Sequence, residues 1–413
     1  MQKIERTDIL LNPIKSFTFI GDPGCDGLGT EIMSIFNAAC LEANGDFILI
    51  GGDIVPEGTD RLYKNVVNML DSNITTPVYM LAGNHDTLDY EKYFGKKNYF
   101  IYDGKLLIIV LDNSKRAFTQ EAHEVLSQAI KHECENIVIT FHIPPPNSVS
   151  GNSVSNEEWD VIEKIIAPVR SKVKYVLCGH VHSYFEDDID GIRLVASGGG
   201  GARIEEVDHV SPPYYHFVEF SFNADGSLKH TFKPVSFNVN MNKHEEVANA
   251  LKSAYAGECM AYVRYRLFAE DAERDGKPHL AKLFLAAADS EFYHARNFFY
   301  AMGDFKPPYE AILDSINNES DEVNEVYVKG ENISKKHKSG LAAYAFNDAR
   351  MAETVHLRLF NEAKKSLEVS EDIPNAEYYT CSSCGYTVGK AKSKVRCPVC
   401  GAPADKIYEV IGV

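Results

Sequence analysis

Two knuckles near the C-terminal end, Cys381-Ser-Ser-Cys384 and Cys397-Pro-Val-Cys400, constrain this chain more than any other feature. Paired Cys-x-x-Cys turns place four thiolates at the corners of a tetrahedron, so a metal is expected there, and zinc is the usual occupant. The segment upstream shifts the expectation toward iron. Glu258, Glu291-x-x-His294, Glu319-x-x-Glu322 and Glu353-x-x-His356 sit in long amphipathic stretches. Residues three apart share one face of a helix. Two Glu-x-x-His helices with Glu from two others make the ligand arrangement of an inward-facing, carboxylate-bridged diiron bundle. A single Glu-x-x-His reads as a solvated helix face, but here the motif occurs in both the second and the fourth helix. Around Glu258 stand Ala256, Gly257, Met260 and Ala261, so a bare carboxylate there is costly without a metal to pair with. A four-thiolate site behind such a bundle serves best as a one-electron iron centre, and metal availability leaves zinc open.

A chain of 413 residues exceeds what one core usually supports, which implies two or three domains. With 59 acidic against 42 basic residues the net charge is −17, which argues against nucleic acid or an anionic membrane surface as the main partner. Met1 to Lys15 lacks the layout of a signal peptide, and no apolar run of about 18 residues occurs, so a cytoplasmic protein is expected. Cys25, Cys40, Cys134, Cys178 and Cys259 are scattered, as in a reducing compartment.

The first part alternates short apolar runs with helical patterns. Ser16 to Ile20, Phe47 to Ile50, Val78 to Leu81, Leu106 to Leu111, Ile137 to Phe141 and Tyr175 to Cys178 read as strands of a sheet covered on both faces. Asp60 to Leu70, Gln120 to His132 and Glu157 to Val169 read as helices. After Ser197-Gly-Gly-Gly-Gly201, taken as a flexible turn, come strand-like runs at Tyr215 to Phe222 and Leu228 to Val235. From Asn242-Lys-His-Glu245, a helix-start box, to Leu367 the period is helical, with breaks near 276–278, 303–308 and 330–340. Four helices fit that span. An acidic, Pro-containing link at 371–375 leads into the cysteine module. The expected organisation is multidomain: an α/β sandwich over 1–238, an all-α four-helix bundle over 241–370 and a small four-cysteine module over 376–413.

Several N-terminal strands end in residues that bind metals: Gly21-Asp22-Pro-Gly24, Gly52-Asp53, Gly83-Asn84-His85-Asp86, Phe141-His142 and Gly179-His180-Val-His182. A lone Gly-Asp after a strand is more often a turn. Five such endings in order supply carboxylate, amide oxygen and imidazole at one sheet edge, suited to two divalent ions bridged by Asp53.

This ordered series resembles the calcineurin-like metallophosphoesterases, over roughly residues 14 to 235. The resemblance implies that Asp22, Asp53 and His182 hold one metal, and that Asp53, Asn84, His142 and His180 hold the other. Manganese, iron or another divalent ion suits these ligands. It further implies hydrolysis of a phosphate ester by in-line attack of activated water, with His85 protonating the leaving oxygen or stabilising transition-state charge. One ligand departs from the pattern: Gly24 stands where the family has the histidine of Asp-x-His, and Cys25 and Asp26 follow it. Either neighbour, or water, is a candidate replacement, and Cys25 beside the gap raises the idea of a redox-sensitive site.

The composite from about 241 to 413 resembles rubrerythrin, with its ferritin-like bundle and rubredoxin-like module. Gly257-Glu258, Arg264-Tyr265, Glu291-x-x-His294, Glu319-x-x-Glu322 with Tyr327, Glu353-x-x-His356 and the two knuckles all stand in that family's order. The resemblance implies a diiron centre and one iron bound by Cys381, Cys384, Cys397 and Cys400. Glu322 would exchange with His294 as a ligand, and Tyr265 and Tyr327 would lie near the cluster. Reduction of hydrogen peroxide would follow, with electrons from an NAD(P)H-dependent rubredoxin-type reductase and a homodimer or larger assembly. The connection between helices two and three is short here, which bears on chain crossing and dimer geometry. A redox sensor that gates the phosphoesterase, or an iron-binding bundle beside a degenerate scaffold, are the alternative readings.

Overall fold

The computed structural model describes residues 1–11, 13–27, 31–205, 207, 214–237, 239, 242, 244–369, 372–373, 377–389 and 396–411. The link expected at 371–375 and the box at 242–245 fall partly outside the described residues. Packing divides the chain into two compact units, Met1–Phe305 and Lys306–Val413.

The first unit begins with β1 (Asp8–Leu10), β2 (Ser16–Ile20), α1 (Glu31–Glu42), β3 (Ile48–Ile50), α2 (Asp60–Asn73), β4 (Val78–Met80) and α3 (Tyr90–Phe94). It continues through β5 (Tyr99–Tyr102), β6 (Leu106–Val110), α4 (Gln120–Ala129), β7 (Asn136–Thr140), α5 (Asn156–Ile166) and β8 (Val173–Cys178). The strands β9 (Tyr184–Ile189), β10 (Ile192–Ser197), β11 (His216–Phe222) and β12 (Leu228–Pro234) follow. They form a seven-stranded sheet, β1-β5-β6-β7-β8-β10-β9, and a five-stranded sheet, β12-β11-β2-β3-β4.

Alternate side chains of a strand face opposite ways. Phe17 and Phe19 of β2 meet Leu106, Ile108 and Val110 of β6 between the sheets, where Phe17 stacks on Phe220 at 4.6 Å. Ile20, Ile48 and Ile50 face the other way, onto Met33 and Phe36 of α1 and Val66 of α2. Leu107, Ile109, Ile137 and Ile139 face α4 and α5. The result is four layers, with helices outside two sheets. Both sheets carry parallel strands, β2-β3-β4 in one and β6-β7-β8 in the other, which sets their carboxyl ends at common edges.

Two long helices complete this unit, α6 (Glu245–Arg274) and α7 (Pro278–Met302), paired as a hairpin. Pro278 opens α7 and Gly303, left-handed at φ 77°, closes it. The foot of α7 is tied to the sandwich: it packs on α1, Asn242 Nδ2 donates to the Ala301 carbonyl at 3.0 Å, and Phe305 meets Phe237 edge-on at 4.8 Å.

The second unit holds α8 (Pro308–Asp321), a π-helical turn (Glu322–Val326), α9 (Tyr327–Lys336) and α10 (Gly340–Leu367). A small sheet, β14 (Thr387–Gly389), β13 (Tyr378–Cys381) and β15 (Ile407–Glu409), carries the cysteines. The third expected helix is thus one rod with a π turn in it. The break expected from Gly330 begins only at His337. Gly330 lies inside α9, where a Cβ would come within 2.5 Å of the Phe346 ring, so close packing and not a chain break accounts for the glycine. Among the described residues no helix is long and apolar enough to cross a membrane.

Candidate metal centres

In the N-terminal sandwich each candidate ligand follows a strand within a few residues. Asp22 follows β2, Asp53 follows β3, Asn84 and His85 follow β4, His142 follows β7, and His180 and His182 follow β8. The turns there are sharp enough to force Asp22 (φ 53°), Asp53 (φ 48°) and His180 (φ 69°) into the left-handed region. Such a conformation costs a non-glycine residue about 1–3 kcal/mol and persists where the surroundings hold it in place. Neighbouring glycines let the strand ends converge: a Cβ at Gly83 would lie 2.2 Å from the Asp53 amide, and one at Gly179 would lie 2.4 Å from Asp22 Oδ2.

The convergence yields two groups whose ligand atoms lie within 4.8 Å of one another, Asp22–Asp53–His182 and Asp53–His142–His180. Asp53 belongs to both. His142 Nε2 is 3.1 Å from Asp53 Oδ2 and 3.1 Å from Asn84 Oδ1, while its Nδ1 donates to the Gly51 carbonyl at 2.9 Å. That last bond leaves Nε2 as the ligating atom. His182 Nε2 is 3.7 Å from Asp22 Oδ1. His85 is exposed; its backbone N–H donates to Asp53 Oδ1 at 2.8 Å and its ring Nδ1 meets the Pro56 carbonyl at 2.9 Å.

Burial pushes the Asp22 carboxyl well above the usual carboxylate range, against the pull of His142 and with Asp53 adding to the push. Burial also opposes the charged form of His142, yet Asp53 and Asp22 hold it up at about 9. Burial and the adjacent His142 drive His180 down to about 3, which favours its neutral imidazole. Two buried carboxyl groups converging with three imidazoles are a donor set that fits divalent cations.

The structure corrects the reading around Gly24. Its φ is +58° and a Cβ there would come within 3.1 Å of the Ala202 Cβ, so the position suits glycine. Cys25 does not stand in as a ligand. Its side chain is fully buried in the core with Met33, Phe36 and Cys40, where burial pushes the thiol well up and keeps it from the reactive thiolate form. Asp26 is exposed and belongs to neither group. The run 197–201 is equally unlike a flexible turn. All five residues are buried, and a Cβ at Gly198, Gly199, Gly200 or Gly201 would lie within 2.1–2.5 Å of another residue's atoms.

Three supporting residues, Asn113, Arg116 and Asn152, escaped the sequence reading, and a fourth, Asp86, was named there only as part of its motif. Asn113 Oδ1 accepts from the backbone N–H groups of His142 and Ile143, at 3.1 Å each, and its amide donates to the Ile143 carbonyl at 2.7 Å. Asp86, last in the Gly-Asn-His-Asp motif, is fully buried and accepts from Gly83 N–H, Ile54 N–H and Tyr63 O–H. Burial raises it to about 6. Arg116 Nη2 and Asn152 Oδ1 lie 3.2 and 3.0 Å from His180 Nε2, and Arg116 itself has φ 61°. Only the motif position of Asp86 offered a signal in the sequence.

In the α6–α7 hairpin, Glu258, Glu291 and His294 form a third group. His294 Nδ1 is 2.8 Å from Glu291 Oε2 and 3.9 Å from Glu258 Oε2. Tyr265 packs its ring on Phe284 at 6.2 Å between centroids. In the second unit, Glu319, Glu353 and His356 form the equivalent group. His356 Nδ1 is 2.5 Å from Glu353 Oε2 and 3.8 Å from Glu319 Oε1. Burial, then the Glu353 carboxyl, raises Glu319 to about 8, and its Oε2 is buried without a hydrogen-bond partner. A buried carboxyl oxygen without a partner beside an imidazole fits the donor set of a metal site. Glu322 lies in the π turn, outside the group, and accepts from Tyr327 O–H at 3.2 Å. π turns within helices occur often at functional sites.

The four cysteines form a fifth group. Cys381 and Cys400 Sγ are 3.8 Å apart, and Cys384 and Cys397 Sγ are 3.7 Å apart. Metal–sulfur bonds of about 2.3 Å in a tetrahedron need edges of about 3.8 Å. Each knuckle closes on a left-handed glycine, Gly385 donating to Cys381 O and Gly401 to Cys397 O. Against burial, the N–H groups of Ser383 and Cys384 hold the Cys381 thiol down at about 7. The module docks on its own unit's helical group: β14 packs on α10, and His356 Nε2 lies 3.0 Å from Thr387 Oγ1, three residues past Cys384.

Comparison with known proteins matches residues 15–184 to the calcineurin-like phosphoesterase family and residues 249–370 to the rubrerythrin family. Rubrerythrin-2 of Clostridium acetobutylicum is 32% identical over 178 residues, covering 40% of this chain and 96% of that protein. Nigerythrin of Nitratidesulfovibrio vulgaris is 27% identical over 169 residues, covering 38% and 82%. A probable cyclic nucleotide phosphodiesterase of Colwellia psychrerythraea is 26% identical over 167 residues, covering 37% and 61%. Two metal sites in the sandwich, a diiron centre and a four-cysteine iron site all fit the donors just described. The chain therefore belongs to the rubrerythrin family, with a calcineurin-like phosphoesterase domain fused ahead of its helices.

Proposed function

We propose that this chain is a bifunctional enzyme, hydrolysing a phosphate ester at the sandwich edge and reducing hydrogen peroxide at its carboxylate–histidine helices. The observation that carries the reading is that the ligand atoms within each of the five groups lie within 4.8 Å of one another.

In the hydrolase half, Asp22, Asp53 and His182 hold one cation, and Asp53, Asn84, His142 and His180 hold the other. Two divalent ions there supply Lewis acidity toward the phosphoryl oxygens and lower the pKa of water. The chain does the rest. Asp53 fixes the spacing, Arg116 beside His180 offers a guanidinium to the phosphate oxygens, and His85, its Nδ1 fixed by the Pro56 carbonyl, presents Nε2 to the leaving oxygen and gives up a proton there when the ring is doubly protonated. The substrate is a phosphate mono- or diester.

In the oxidoreductase half, the O–O bond of hydrogen peroxide breaks as it takes two electrons and two protons, leaving two waters. NAD(P)H is the reductant, through a rubredoxin-type reductase and the four-cysteine iron. Iron bound by these residues supplies the one-electron steps. Glu258, Glu291, His294, Glu319, Glu353 and His356 hold the pair, and Tyr327 orients Glu322. Thr387 joins the cysteine module to His356 by one hydrogen bond, a short route for electrons.

The test is hydrolysis of a generic phosphodiester and a phosphomonoester by anaerobic protein with Mn²⁺ or Fe²⁺, together with peroxide-dependent NADPH oxidation with a rubredoxin-type reductase. Metal-dependent turnover in both assays is expected. Absence of either removes that half. A regulatory reading is favoured by one observation, the packing of α7 on α1, the first helix after Asp22 in the chain. Under that reading one equivalent of peroxide changes the hydrolysis rate; an unchanged rate means two independent enzymes.

A further inference from the structure

The sheet edge that carries the sandwich ligands also carries a cleft. Strand β5 runs antiparallel to β6 with Tyr99 opposite Val110, so Asn98 and Asp112 meet at the carboxyl end of β6. There the Asp112 backbone N–H donates to Asn98 Oδ1 at 2.8 Å. The loop leaving β4 brings Thr87 alongside, two residues past His85, and its N–H donates to the His85 carbonyl at 3.0 Å. Between these loops opens a cleft of about 580 Å³, a size suited to a small molecule.

Both walls lead back to the hydrolase groups. Thr87 continues directly from His85, which faces the leaving oxygen in the reading above. Ser114, Lys115 and Ala117 line the other wall, while Arg116 between them reaches His180, with Nη2 3.2 Å from Nε2. An ester whose phosphate sits at Arg116 and whose leaving oxygen sits at His85 has its alcohol portion beside this cleft.

The cleft holds one pair of charges that the fold does not fully satisfy. The side chains of Lys97 and Asp112 are 20% and 10% exposed, and Nζ stands 3.9 Å from Oδ2, beyond hydrogen-bond length. The Lys97 ammonium lies 5.4 Å from the centre of the Tyr90 ring and makes no hydrogen bond among the described residues. The other oxygen of Asp112 accepts from Ser114 N–H at 3.0 Å. One hydroxyl oxygen can stand about 2.8 Å from both members of such a pair, accepting from the ammonium and donating to the carboxylate. An alkyl group there would leave both charges without a partner. A second anionic group would meet the carboxylates of Asp112, Glu91 and Glu121, which also line the cleft.

We infer that this cleft is the subsite for the alcohol portion of the phosphate ester, that the alcohol is polyhydroxylated, as in a sugar or sugar alcohol, and that Lys97 and Asp112 select it through a shared hydroxyl. This rests on the hydrolase reading above.

The test compares hexyl phosphate with a hexitol 6-phosphate, which share a six-carbon chain and differ in their hydroxyl groups. Both are measured on the full chain with Mn²⁺, by steady-state hydrolysis and by titration calorimetry. The variants are Lys97→Met, which keeps the stem over Tyr90, and Asp112→Asn, which keeps the acceptor for Ser114 N–H; melting temperature and metal content report that each is folded. In the wild type the hexitol ester is expected to be favoured about 10- to 100-fold in kcat/KM and in affinity, the worth of one or two charge-assisted hydrogen bonds. Each variant is expected to cut that ratio about 10-fold or more. A wild-type ratio near one, or a ratio that neither variant changes, overturns the subsite. Selective binding of the hexitol ester that both variants abolish, with no turnover of either ester, supports the cleft and removes the hydrolase reading instead.

Discussion

Substitution of Gly199 by alanine measures how tightly the glycine run supports the hydrolase site. The new Cβ would lie 2.1 Å from Nδ1, 2.3 Å from Cε1 and 2.6 Å from Cγ of His216. An ordinary contact is about 3.5 Å, so the overlap is more than about 1 Å along one face of the ring. His216 is fully buried and its Nδ1 is held by the Tyr214 carbonyl at 2.8 Å, which leaves little room to yield. Overpacking of this kind costs about 1–3 kcal/mol. For a domain of this size each kcal/mol lowers the melting temperature by about 2–4 °C. The assay is denaturant unfolding of chelator-treated protein, run on Gly199→Ala, His216→Ala and the double variant. Removing the imidazole opens a space the new methyl can enter, so the double variant is expected to recover about 1–3 kcal/mol relative to the sum of the singles. Metal affinity should fall with the single variant, because Gly198 packs beside Asp22 Oδ2. Unchanged stability in Gly199→Ala, or strict additivity, would refute the packing and restore a flexible turn.

Arg116→Ala should raise KM for a phosphate ester about 10- to 100-fold, the loss of one charged hydrogen bond, with metal content unchanged; steady-state kinetics decide, and an unaltered KM removes Arg116 from the substrate. Glu319 is raised from the ordinary 4.5 to about 8, so the metal-free folded chain holds a proton there that the unfolded chain has lost. Stability of the metal-free protein should therefore decline as pH climbs from 4.5 to about 8. Glu319→Gln should flatten that decline, which unfolding midpoints across the range will check. Thr387→Val keeps size but removes the hydroxyl 3.0 Å from His356 Nε2. Electron transfer from the four-cysteine iron to the diiron centre should slow in stopped-flow traces while the four-cysteine absorption stays as it is; an unchanged rate excludes that route.

The ligand residues were legible because their chemistry sits at fixed spacings: Glu and His three apart on a helix, cysteines three apart in a knuckle, and single polar residues just past apolar strands. The glycine run was misjudged because only tertiary packing distinguishes a glycine that must move freely from one that must admit a neighbour such as His216. Helix α1 went unseen, since eight of its twelve residues are buried and no polar face marks a period. Strand β9, Tyr184–Ile189, was hidden by its acidic, half-exposed Glu186, Asp187 and Asp188 at the sheet edge. The π turn at Glu322–Val326 leaves no trace in residue spacing. Arg116, Asn113 and Asn152 come from loops whose positions only the folded sheet determines. Cys25 looked available beside Gly24 in sequence, yet consecutive residues leaving a strand diverge, and its thiol went to the core.

Anaerobic titration of the fully reduced chain with hydrogen peroxide, followed through the absorption of the four-cysteine iron, is the most direct test of peroxide reduction fed from that iron. Prompt oxidation of that iron, lost when Glu319 and Glu353 are replaced by alanine, is expected. Oxidation that proceeds equally well without those carboxylates, or does not occur at all, would contradict it.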